Sequence, residues 1–346
     1  MDSLSLITRL TEAFGPPGFE DDITAIAREY ISPAYAMSRD PMMNFFMQKD
    51  NPGNRPVVML DAHSDEVGFM VQSIKSNGLL AVVPLGGMAT TALPAKKMAI
   101  RNLDGALVTG VFAAKPPHFG TSKEIPALDQ LRIDVGASSR EEVAQLGIVP
   151  GCPVVPKSST EMNGDTLIGK ALDDRLGCAA VLEVMNALAN DDLPVHPVGV
   201  LSTQEEVGTR GAKVIPARVK PAVAICFEAA PSDDQYDDTP QTVLGNGPML
   251  RLYDPGIIAN PRLVQFAKDV ATREGIPLQL AVRKGGGTNA NSYHLLEQGI
   301  PSIVLSVPAR HIHSHNGMAR LSDYQNTVRL GIALVRALTP AAIATL

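Results

Sequence analysis

The chain has 346 residues, 45% of them hydrophobic, enough for one large domain or two ordinary ones with a sizeable core. Its 30 Lys and Arg against 36 Asp and Glu give a net charge of −6, which argues against nucleic acid or an anionic membrane as the main partner. The three cysteines, Cys152, Cys178 and Cys226, lie far apart in apolar surroundings, so a disulfide framework or zinc finger fails for lack of pairs and reduced thiols in a cytoplasm are expected.

The opening "MDSLSLITRLTEAFG" reads as an amphipathic helix with no secretion signal, and no stretch approaches the ~18 apolar residues of a membrane span. Helical periodicity in "DDITAIAREYI" leads to the apolar strand "VVML" and then to "DAHSDEVG". Between residues 68 and 163 the texture changes to short strands separated by turn residues, as in "GFMVQSI", "LLAVVPL" and "ALVTGVFAA". After residue 164 strands and helices alternate again: a helix from Asp174 to Leu188, the strands "VGVLST" and "AVAICF", a helix at "RLVQFAKDVATREG", the strand "SIVLSV" and a last helix at "TVRLGIALVRAL". This pattern predicts an α/β domain, residues 1–67 and 164–346, with a largely parallel sheet flanked by helices and interrupted by a β-rich insert at 68–163.

Polar residues gather just past the predicted strands. His63, Asp65 and Glu66 follow "VVML", Glu205 and Glu206 follow "VGVLST", Glu228 follows "AVAICF", and "RHIHSH" follows "SIVLSV". In open α/β sheets ligands bind outside the carboxyl ends of the strands, so these segments converge on one crevice, joined by Asp173 and Asp174 ahead of the long helix. Singly, each has a plainer reading: an acid pair as a solvated loop, "DD" as a helix cap, His63 as a hydrogen-bonded core residue. Together, two histidines and several carboxylates without cysteine suit borderline-to-hard divalent ions such as Zn²⁺, Co²⁺ or Mn²⁺. Sharing one carboxylate gives a two-metal site in which each ion also holds one His and one acid, with one acid left for proton transfer.

The motifs "DAHSDEVGFMV", "KPPHF", "IDVGASSREE", "GKALDDRLGC", "QEEVGTRGAK" and "RHIHS" resemble, in order and over nearly the whole chain, the tetrahedral-particle aminopeptidases, also called glutamyl or deblocking aminopeptidases. The resemblance implies that His63, Asp173 and Glu228 hold one metal ion and that Asp173, Glu206 and His313 hold the other. It makes Asp173 the bridge, Glu205 the general base that activates water between the ions, and Asp65 the carboxylate that orients the His63 ring. It further implies short peptide substrates, a cis peptide bond at Asp173-Asp174, and an insert, PDZ-like or barrel-like, that joins dimers into a tetrahedral dodecamer.

The sequence departs from the family pattern in places. Glu228 stands where an Asp is usual, His311 where a Tyr is usual, and Asn289 in "GGGTNANSYH" replaces an acid. Period-two spacing would put His311, His313 and His315 on one face of an extended segment, with His313 the chosen ligand and His315 its competitor. His118 in "KPPHF" is expected to be structural or at a subunit boundary, His196 to be solvated in a loop between prolines, and His294 to be core or pocket lining in a helix. Two rival readings remain: a glycoside hydrolase, which the absence of Trp and the 4% aromatic content disfavour, and a peptide-binding shell with a weakened centre, motivated by Asn289. Chelation followed by metal readdition separates the peptidase from both.

Overall fold

The run "VVML" is part of a buried strand, Val57–His63, that carries its own acid, Asp61, and ends on the first candidate ligand. The computed structural model describes residues 2–50, 53–119, 127–296 and 298–346 of the chain. Four parallel strands form the centre of its main sheet, in the order His196–Ser202, Val57–His63, Val223–Pro231 and Ser302–Arg310. Buried on both faces, they are apolar almost throughout, which is why periodicity shows runs rather than alternation. Antiparallel strands extend the sheet on both sides: Phe45–Gln48 and Ala36–Arg39 beyond the first, and Gly317–Arg320, Thr166–Gly169 and Glu161–Asn163 beyond the last. The fold is therefore mixed α/β, parallel at its centre and antiparallel at its margins.

One face of the sheet is covered by the helix Leu172–Leu188, which also packs on the helices Ser3–Glu12 and Leu321–Ala337. Wedged between a sheet and two helices, it buries residues around its whole circumference, including Leu176, Cys178, Val181 and Met185. The opposite face meets a smaller cluster built from Ala212, Ile215, Tyr293 and Ile300.

The β-rich segment closes into a six-stranded barrel in the order Gly68–Ile74, Leu80–Leu85, Ile133–Asp134, Leu107–Phe112, Lys97–Arg101 and Pro153–Pro156. Closure leaves no free edge and encloses a separate core, in which Phe69 and Phe112 meet edge to face at 5.2 Å. The barrel strands end at Pro156; Glu161–Asn163, still inside the expected insert, pairs in the main sheet.

Several local expectations need correction. His196 is not solvated: it opens a central strand, and its backbone amide donates to Pro56 O at 2.8 Å, so the ring is buried. Glu228 does not lie past its strand but within it, because the neighbouring strand continues alongside, pairing Glu228 with Ser306 and Ala230 with Pro308. His294 sits at the end of a short helix, Ala290–Tyr293, partly buried with Nδ1 3.0 Å from Ala290 O. His118 is exposed in a short turn beside Phe119. Among the described residues no helix is long and apolar enough to cross a membrane.

Candidate metal centre

Strand register assembles the site. Ser202 pairs beside His63 and Cys226 beside Asp61, so Glu228, two residues after Cys226, draws level with the end of the His63 strand. The Asp173–Asp174 peptide bond is cis, and both residues depart from helical geometry at the start of the long helix. Their side chains do different work. Asp174 Oδ1 accepts from Gly177 N at 2.9 Å and Oδ2 from His63 N at 3.3 Å, so it caps the helix and ties it to the strand. A Cβ on Gly177 would lie 2.3 Å from that oxygen, so glycine is needed there. Asp173 is free to face outward.

The two oxygens of Asp173 face different imidazoles: Oδ1 is 3.1 Å from His63 Nε2 and Oδ2 is 3.2 Å from His313 Nε2. Glu228 Oε1 lies 3.4 Å from His63 Nε2, so the longer side chain at this position still reaches the first ring. Glu206 Oε1 lies 3.4 Å from His313 Nε2 on the other side. Each ring is oriented from behind, His63 through Nδ1 toward Asp65 O at 3.1 Å and Asp65 Oδ1 at 3.5 Å, and His313 through Nδ1 toward Gly87 O at 2.7 Å. Such a contact on the second nitrogen fixes a ligating imidazole in its ring orientation.

The expected face of three histidines does not form. His311 and His313 both adopt left-handed backbone, φ 55° and 57°, so the segment turns instead of extending. His315 is buried away from Asp173, with Nε2 2.8 Å from Lys97 O in the barrel. Glu66 is likewise occupied elsewhere: both its oxygens accept from Lys170 Nζ at 2.7 Å, and Arg175 approaches at 3.4 Å.

The electrostatics of the cluster are those of acids lacking a cation. Burial and the neighbouring Asp173 push Glu206 up to about 8 and Glu228 up to about 7. Burial also raises Glu205 well above the usual carboxylate range. Burial opposes charge on His313, but its hydrogen bond to Asp173 outweighs this and raises it to about 9. Among the described residues, no Lys or Arg forms an ion pair with Asp173, Glu205, Glu206 or Glu228. Glu206 Oε1 and Glu228 Oε1 are buried without a hydrogen-bond donor. Unpaired buried carboxylates of this kind are costly unless a cation joins them. Two sets of donor atoms lie close enough together to share an ion, His63 with Asp174 and Glu228, and His63 with Asp173 and Glu206. Because backbone amides already occupy both Asp174 oxygens, Asp173 is the better partner in the first set as well.

A cleft of about 590 Å³ opens over this cluster, lined by His63, Asp173, Glu205, Glu206, Glu228 and His313. Arg251 stands in its wall, paired with the buried Asp254 at 3.1 Å. Asn289, expected near the site as a missing charge, is buried behind it. Its Nδ2 donates to Asp61 Oδ2 at 2.8 Å and to Ser202 Oγ at 2.7 Å, so an amide is what the neighbouring acid requires. Sequence reasoning missed Asp61, although an acid inside "VVMLDAH" is a visible anomaly. It also missed Arg251, which no local pattern distinguishes.

Known proteins resemble this chain over most of its length. A sequence model of the M42 glutamyl aminopeptidase family matches residues 44–330. The glutamyl aminopeptidase of Lactococcus lactis is 34% identical over 336 residues, covering 94% of this chain and 93% of that protein. The crystal structure of a TET aminopeptidase from a marine sediment thaumarchaeon superposes with a TM-score of 0.95 at 36% identity, covering 99% of both chains. The TET1 peptidase of Pyrococcus horikoshii, which can assemble into a tetrahedron or a large octahedral shell, gives a TM-score of 0.90 at 27% identity, over 97% of this chain and 100% of that one. With His63, Asp173, Glu206, Glu228 and His313 around one cleft and most of its length matched, the chain belongs to the M42 glutamyl aminopeptidase family of peptide hydrolases.

Proposed function

We propose that this chain removes N-terminal residues from short peptides with two divalent ions, one held by His63, Glu228 and Asp173 and the other by His313, Glu206 and Asp173. The carrying observation is that the oxygens of Asp173 point to different imidazoles, each of which also faces a buried acid without a donor. This donor set fits Zn²⁺ or Co²⁺, with Mn²⁺ as a third choice. Bound there, the ions would polarise the scissile carbonyl and bring the pKa of water toward ~7.

The chain's own residues supply the rest. Glu205 lies in the cleft outside both donor sets, so it is free to take the proton of the attacking water and return it to the leaving amine. Asp65 orients the His63 ring and accepts from Glu205 N at 2.9 Å and Glu206 N at 3.0 Å, holding base and ligand in one frame. Among the described residues Arg251, although paired with Asp254, is the sole Lys or Arg in the cleft lining, which favours an acidic side chain on the residue removed. The barrel, whose strands run from Gly68 to Pro156, is proposed to join dimers, and the dimers to assemble into a tetrahedral dodecamer, a reading supported by the tetrahedron described for the Pyrococcus horikoshii protein. A cytoplasmic setting accords with the three free cysteines.

Chelator-treated protein should lose cleavage of aminoacyl-anilides and recover it with Co²⁺ or Zn²⁺, glutamyl and aspartyl anilides turning over best. Activity indifferent to metal would defeat the reading, and a preference for lysyl anilide would remove Arg251 from it. Light scattering should find a particle many times the mass of one chain.

A further inference from the structure

The segment that carries the base leaves the sheet and turns back on itself, with Thr203 O, Gln204 O and Glu205 O accepting from Gly211 N at 3.0 Å, Arg210 N at 3.1 Å and Thr209 N at 2.8 Å, so its carbonyls are held from within the turn. The strand His196–Ser202 ends one residue before Thr203, and Gln204 adopts left-handed backbone at φ 56°, which a side chain other than glycine rarely takes. Yet four consecutive amides there are satisfied, each by a side-chain oxygen from elsewhere in the chain. Thr203 N donates to Asn44 Oδ1 at 2.9 Å, Gln204 N to Glu20 Oε1 at 3.1 Å, Glu205 N to Asp65 Oδ1 at 2.9 Å and Glu206 N to Asp65 Oδ2 at 3.0 Å.

Glu20 is the unexpected member of this set. It precedes the helix Asp21–Tyr30 at the position where a side chain would normally cap the first turn, but it makes no capping hydrogen bond. Instead its carboxylate turns inward, 2% exposed, and Oε1 also accepts from Gly18 N at 2.8 Å. Its charged neighbour across the gap is Asp65, another acid, and among the described residues Glu20 has no ion-pair partner. A buried acid facing a second acid is a poor stabilising device. What it supplies is an acceptor oxygen, shared between Gly18 N and the amide of Gln204 that precedes Glu205.

We propose that Glu20 is a positioning residue for proton transfer, acting through Gln204 to hold the backbone from which Glu205 projects into the cleft. The inference rests on the aminopeptidase reading and adds a residue from the first 20 of the chain, remote in sequence from every ligand. The requirement is for an acceptor atom, since the amide of Gln204 needs an oxygen and Asp65 would repel a charge. Glu20→Gln keeps that oxygen, whereas Glu20→Leu removes it and Glu20→Ser leaves it out of reach.

The test compares the three variants with wild type for kcat and KM on an acidic aminoacyl-anilide, bound metal per chain and thermal midpoint. Glu20→Leu and Glu20→Ser should lose kcat, on the order of 100-fold for a displacement near 1 Å, with KM and two metals per chain unchanged. Glu20→Gln should retain kcat within about threefold, a rescue that follows from its kept acceptor. Should Glu20→Leu fail to fold, Glu20→Ser carries the comparison. Wild-type kcat in the acceptor-less variants overturns the proposal, as does a loss that tracks metal content. A wild-type chain without metal-dependent turnover overturns the aminopeptidase reading as well, so the two failures are told apart.

Discussion

Two buried acid clusters lie side by side at the end of the central sheet, and the chain treats them in opposite ways. Glu66 is enclosed by its own cations: Lys170 donates to both its oxygens, Arg175 stands behind, and Arg175 in turn donates to Leu10 O at 2.8 Å and Gly15 O at 3.1 Å. Asp173, Glu206 and Glu228 are less deeply set, and among the described residues they pair only with imidazoles, two of their oxygens having no donor. The first cluster is complete as folded. The second could hold a cation from outside the chain, and this contrast is what marks it as the candidate ligand shell.

The largest effect expected from that contrast is catalytic. Glu205→Gln keeps the shape of the side chain and both donor sets but removes the proton acceptor, so kcat should fall by about 10²–10⁴-fold with metal content unchanged. A variant with normal kcat would take Glu205 out of the base role. The next effect is on stability. Because metal would bind the folded chain, stripping it should lower the thermal midpoint, and Zn²⁺ or Co²⁺ at a thousandfold excess over Kd should raise it again by adding about 4 kcal/mol of stability. No change in midpoint with metal would erase the distinction between the two clusters. Lys170→Met tests the other side: it strands Glu66 and should cost about 3–5 kcal/mol in urea denaturation. Two metals per chain should still be bound.

How far the sequence foretold this arrangement depends on what kind of physics placed each part. The βα alternation and the apolar central strands are local signals, so the mixed α/β architecture and the β-rich insert were legible. The convergence of His63, Asp173, Glu206, Glu228 and His313 followed from strand ends meeting at one edge. What could not be read was backbone direction beyond those ends. Left-handed turns at His311 and His313 send His315 to the barrel, and continued pairing carries Glu228 inside its strand. His196 was misjudged for a related reason: its flanking Pro197 suggests a loop, yet the residue's own amide pairs with Pro56 O and the strand begins there. Glu20 and Asn289 act through contacts 184 and 228 residues away in sequence, where no local pattern reaches.

Asn289 gives the smallest and most discriminating test. It stands where the resemblance leads one to expect an acid, and it faces Asp61, which burial raises to about 6. In Asn289→Asp two buried carboxyl groups would share one hydrogen bond, a geometry that requires a proton between them. At pH values below the unfolded range of both acids, that proton is present in either state and the substitution should be nearly neutral. As the pH rises above about 4 the unfolded chain releases it while the folded pair retains it, so the folded state binds more protons and loses stability at about 1.4 kcal/mol per pH unit until the pair also lets go. Wild type keeps its own proton on Asp61 up to about 6, so in urea denaturation the variant should run level with wild type to about pH 6 and fall below it from there toward pH 8. Adding Asp61→Asn should cancel the excess over wild type, because the second acid would then face an amide, as Asp61 faces Asn289 now. An excess that survives the double substitution would mean that the charge at 289 is felt by the metal cluster in front and not by Asp61 behind.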